Sequence, residues 1–83
     1  MKNQINNYST SDIKIGAYLL CKGISLLGVD RPTPRKVFFI FEKTDKTIQL
    51  IQEYLSDKAL VNPKMLLDSY SNLKSVIFQE ITL

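Results

Sequence analysis

Lys36-Val37-Phe38-Phe39-Ile40-Phe41-Glu42 is the stretch that most limits what this chain can fold into. Its interior is β-branched or aromatic throughout, and a charge closes each end. A membrane helix needs roughly 20 apolar residues, so the run is far too short to span a bilayer. Its residue types fit a strand better than a helix. Side chains alternate across a strand, and here both alternating sets are apolar. The stretch therefore predicts a strand buried on both faces, with the rest of the chain as its cover.

The 83 residues supply material for one domain with one small core. Residues 1–7 are polar, lack the apolar centre of a signal peptide and read as a flexible tail, which leaves residues 8–83 as a single α+β domain. No apolar run is long enough for a membrane partner. The single cysteine, Cys21, has no partner for an internal disulfide, which fits a reducing, cytoplasmic setting.

The order of elements follows from caps and periodicity. Tyr8-Ser9-Thr10-Ser11-Asp12 is rich in helix-capping side chains, and an apolar stripe of Ile13, Ala17, Leu20 and Cys21 predicts a helix over 13–22. Gly23 is placed to end it in a left-handed conformation. Residues 24–29 form a short apolar run, and Asp30-Arg31-Pro32-Thr33-Pro34-Arg35 then predicts a loop leading into the central strand. Two strands so connected predict an antiparallel hairpin. Leu26 and Leu27, like Phe38 and Phe39, alternate between faces, so both faces need cover.

Thr44 or Asp45 caps a second helix that carries Ile48, Ile51, Tyr54 and Leu55 and ends near Ser56-Asp57. Residues 59–61 are a candidate short strand. Asn62-Pro63 is a start signal for a last helix running toward Glu80, with Leu66, Tyr70, Leu73, Ile77 and Ile81 on one seam. The expected fold is α+β: helix, antiparallel β-hairpin, helix, short strand, long C-terminal helix.

Several of these segments resemble a known family. They are Tyr8-Ser9 with Asp12, Leu19-Leu20-Cys21-Lys22-Gly23, Val37-Phe38-Phe39-Ile40-Phe41-Glu42, Glu53-Tyr54-Leu55, Val61-Asn62-Pro63 and Leu73-Lys74-Ser75. In them the chain resembles a family of small uncharacterised domains of bacteria and their phages, known only as a domain of unknown function. The resemblance covers about residues 8–78. Its matched positions are mostly core and cap residues, so it implies a fold and brings no catalytic residue. The family's occurrence in phages and mobile elements implies a nucleic-acid or host-interaction role.

The residue inventory argues against catalysis. Nucleophilic catalysis usually pairs the nucleophile with a histidine base, and the chain has none. Without histidine and with one thiol, a zinc site within the chain lacks its donors. Cys21 fits a small core residue of the first helix. The spacing of Gly16, Gly23 and Gly28 matches no phosphate-binding loop. A non-enzymatic protein without a cofactor is the expectation.

Charge is unevenly placed. Residues 1–36 carry 6 basic side chains against 2 acidic ones, and the remainder 5 against 6. Arg35 to Phe41 superficially resembles the aromatic strand of an RNA-recognition motif, yet the glycines and the order of elements of that fold are absent. The aromatics are accordingly read as core. The better candidate is the proline-stiffened loop, where Arg31, Arg35 and Lys36, with Lys22 near the end of the first helix, are placed to contact phosphates of DNA or RNA. A basic loop that merely keeps a small domain soluble carries the same residues. The alternative is a protein-interaction module, meeting a protein partner or a second copy through an uncovered apolar sheet or helix face.

Overall fold

A computed structural model describes residues 7–82, with side chains described through Ile77. Its elements are β1 (Asn7–Thr10), α1 (Ile13–Cys21), β2 (Leu26–Thr33), β3 (Lys36–Glu42), α2 (Asp45–Leu55) and α3 (Pro63–Thr82). The three strands form one antiparallel sheet in the order β1-β3-β2, so the Lys36–Glu42 run is its central strand. The fold is α+β, as the sequence predicts.

Two strand assignments change. The third strand comes from the N-terminal side: β1 pairs Tyr8 with Phe41 and Thr10 with Phe39. Asn7, assigned to the tail, opens this strand, and the rest of the predicted tail lies outside the described residues. Residues 59–61 form no strand. The cap-rich segment therefore does two jobs. Its first half is a strand, and only Asp12 caps α1, accepting from the Lys14 N–H at 2.9 Å.

The remaining caps follow the sequence closely. Gly23 adopts φ 93°, its N–H reaches the Leu20 carbonyl, and the next N–H, of Ile24, reaches the Leu19 carbonyl at 3.0 Å. This is the paired-bond ending that a left-handed residue after a helix permits. Asp57 ends α2 in the same way at φ 60°, without glycine's freedom. Asn62 caps α3, accepting from the Lys64 and Met65 N–H groups at 2.9 and 3.1 Å, and Pro63 opens the helix.

The core lies on one face of the sheet only. Phe39 and Phe41 are 1% and 0% exposed and face the helices. Five consecutive α1 residues, Ile15 through Leu19, are buried, so α1 is covered on several sides. Gly16 explains how it fits there. A Cβ at this position would lie 3.1 Å from Leu73 Cδ1 of α3 and 3.5 Å from Phe41 of the sheet. With only hydrogen at that point, sheet, α1 and α3 close on one another. The α3 seam packs here as predicted through Leu66, Tyr70, Leu73 and Ile77, while the Ile81 side chain lies outside the described residues. Tyr18 joins α1 to α2, its ring 5.6 Å from that of Tyr54. Burial, and then the Glu53 carboxylate 3.5 Å from its hydroxyl, push the Tyr18 pKa above the ordinary tyrosine value.

The expectation that β3 is buried on both faces does not hold. Phe38 and Ile40 point away from the helices, are half-buried, and are not packed against the core cluster. An antiparallel sheet tolerates one open face, and all three helices leave this one uncovered.

The corner between β3 and α2 is held by Thr47, 0% exposed despite its hydroxyl. That hydroxyl donates to the Glu42 carbonyl at 2.7 Å and accepts from the Thr44 N–H at 3.1 Å. Thr44 in turn accepts from the Thr47 N–H at 3.2 Å, closing a reciprocal cap. Thr47→Val preserves the shape and leaves the Thr44 N–H and the Glu42 carbonyl without their partner. Chemical denaturation should show a loss of about 1–3 kcal/mol with an unchanged denaturant slope.

Candidate nucleic-acid interface

The predicted proline loop is mostly strand. β2 continues through Thr33, whose register partner is Lys36, so only Pro34 and Arg35 form the turn. Proline fixes φ near −65°, and neither turn residue has positive φ. The turn is therefore not of the primed types that match strand twist, and β2 takes up the mismatch as an irregularity between Asp30 and Thr33. Pro32 sits within it, on an edge strand, where a missing N–H is tolerated.

Arg31 anchors this tip to the helices. Its guanidinium donates through Nη1 to the Pro34 carbonyl at 3.2 Å and through Nη2 to the Ile77 carbonyl of α3 at 3.4 Å. Its Nε is buried without a partner among the described residues. The single ion pair among the described residues is Lys64–Asp68, so no described carboxylate pairs with Arg31. Arg31 thus fastens the hairpin to α3.

A cleft of about 400 Å³ opens beside the anchor, between the tip, the start of α1 and the late part of α3. Arg31, Arg35 and Lys36 line it together with Ser11, Ile13 and Ile77, and among the described residues no carboxylate does. Arg35 and Lys36 are exposed, whereas Arg31 is half-buried. Lys36 also reaches the outer sheet face, its Nζ 5.9 Å from the Phe38 ring centroid.

Three of the four predicted phosphate contacts are therefore brought together, and Lys22 is not. Ser11 and Ile13 place the start of α1 at the cleft, whereas Lys22 caps its far end, with its Nζ 5.8 Å from the Tyr18 ring. At about 1.5 Å rise per residue, a helix of 9 residues separates the two ends by roughly 14 Å. Cys21, expected in the core, is half-buried at the same end of α1.

A family model described as a domain of unknown function, DUF5659, matches residues 5–79. The chain belongs to the DUF5659 family. No curated protein and no solved structure matches it. The match takes in β1 and nearly all of α3, so the whole described fold of this DUF5659 domain is family property rather than an embellishment of the hairpin. No helix among the described residues is long and apolar enough to cross a membrane, and none of their His, Cys, Asp and Glu side chains form a group of three able to hold a metal ion.

The DUF5659 domain has a second concave surface. Lys14, Ala17, Tyr54, Leu66, Leu67 and Tyr70 line an apolar groove of about 330 Å³ between the three helices. Leu67 is 63% exposed, and Leu60 in the preceding connection is 82% exposed. Leu67 falls off the α3 seam that periodicity marks, and Leu60 belongs to the segment predicted as a short strand.

Arg31→Lys keeps the charge and removes the fork, since one ammonium cannot serve two separated carbonyls. Hydrogen exchange should show the strand amides nearest the turn opening roughly fivefold faster, with the rest of the sheet unchanged.

Proposed function

We propose that this domain is a small non-enzymatic accessory protein of a bacterium, phage or mobile element that binds nucleic acid through phosphate contacts at the hairpin tip. The observation that carries the reading is the make-up of the cleft: among the described residues, Arg31, Arg35 and Lys36 line it and no carboxylate does. Like charges gathered on a concave surface focus a positive potential and draw in polyanions. Arg31 holds the tip in place through two backbone carbonyls, so Arg35 and Lys36 are presented on a fixed support. Less conformational freedom is then lost when a phosphate binds. Phosphate contacts of this kind position a protein on the backbone without reading sequence.

A second reading, a protein partner seated in the helical groove, is favoured by the exposure of Leu60 and Leu67. It predicts no role for the tip.

Fluorescence anisotropy with labelled oligonucleotides at low salt tests the first reading. The unaltered chain should bind duplex and single strand. Replacing Arg35 and Lys36 together by alanine should weaken binding for all sequences alike and reduce the slope of log affinity against log salt by roughly 1–2. Arg31 is left in place because its loss would also loosen the tip. No binding at low salt would overturn this reading and leave the groove as the functional surface.

A further inference from the structure

We propose that Phe38 is a platform on which one unpaired base stacks, so that the hairpin prefers single-stranded to duplex nucleic acid. The inference rests on the phosphate-binding reading of the tip and adds the class of strand bound.

The outer sheet face is open and low-walled around this ring. Phe38 and Ile40 alternate with the buried Phe39 and Phe41, and neither packs against the core. Ile40 has Ser9 on one side and Gly28 on the other in the strand register. A Cβ built on Gly28 would meet nothing within 4 Å among the described residues, so no described element covers the sheet at that point. A flat apolar surface with an aromatic ring in it, bordered by small residues, accepts the face of a base.

Charge fixes which ligand fits. Lys36 belongs to both surfaces: it lines the basic cleft, and its Nζ lies 5.9 Å from the Phe38 ring centroid. A phosphate held by Arg35 and Lys36 therefore leaves the attached base beside Phe38. Asp30, exposed and directly across from Phe38, repels phosphates on the other side and so directs the backbone along the Lys36 end. A duplex cannot use the ring, because its base faces are stacked on one another and only their edges are offered. An unpaired base can, and stacking tolerates any base identity.

The chain has no tryptophan, so Phe38→Trp supplies one indole as a reporter at this position. Titrated with oligothymidylate, this variant should bind about as tightly as the parent, and its emission should be quenched as a base stacks. Phe38→Ala should bind labelled oligothymidylate roughly tenfold more weakly. Its affinity for the same strand annealed to its complement should be unchanged, which also checks that the variant is folded. Three results would overturn the inference. Oligothymidylate could bind with no quenching and with Phe38→Ala equal to the parent, in which case the phosphate reading stands and the stacking does not. Neither probe could bind, in which case the phosphate reading fails as well. Or the indole emission could change with protein concentration alone, which would assign the face to a second copy.

Discussion

The fold depends on a division of labour within one strand. β3 lies between β1 and β2, and alternation sends Phe39 and Phe41 to one side and Phe38 and Ile40 to the other. The inner pair supplies the aromatic floor of the core, and burying a phenylalanine contributes about 1.5–3 kcal/mol. That gain requires α1 to lie close against the sheet, which Gly16 permits by offering no side chain where Phe41 and Leu73 converge. A small domain has few such contacts, so each weighs heavily in its stability. The arrangement uses all three helices on one side and leaves the outer pair uncovered.

The local signals in the sequence were legible where the physics is local. Asn62-Pro63, Thr44 and Gly23 act through hydrogen bonds within a few residues, and each ends or begins a helix as its chemistry requires. The α3 seam was legible as well, because one helical period decides it. β1 was not. Tyr8-Ser9-Thr10 carries residues that suit a cap as well as a strand, and only its pairing with Ile40 and its neighbours, distant in sequence, settles which. The proline-rich stretch, predicted as a loop, is mostly strand for a related reason. Pro32 can sit in a strand because β2 is an edge, and edge position is a property of the sheet rather than of the residue.

The candidate site divides along the same line. The grouping of Arg31, Arg35 and Lys36 follows from their closeness in sequence. The anchoring of Arg31 on the Ile77 carbonyl joins residues at opposite ends of the chain, and no local pattern announces it. It ties the guanidinium to two backbone carbonyls and so steadies the tip that carries Arg35 and Lys36. Lys22 shows the converse. Its place at the end of the first helix predicts closeness to the tip, and the direction of α1 carries it to the far end. The open sheet face enters the sequence reading only as the alternative, because an unbroken apolar run reads as two-sided burial when the placement of the covering helices is unknown.

The fold and the candidate site both depend on β3 being covered on one face and open on the other. Solvent paramagnetic relaxation measures this directly, with a soluble gadolinium chelate added to the unaltered chain and the phenylalanine ring protons followed by NMR. Strong relaxation of Phe38 beside protected Phe39 and Phe41 rings is the result the one-sided sheet predicts. Equal protection of all three rings would mean that the outer face is covered in solution, and would contradict it.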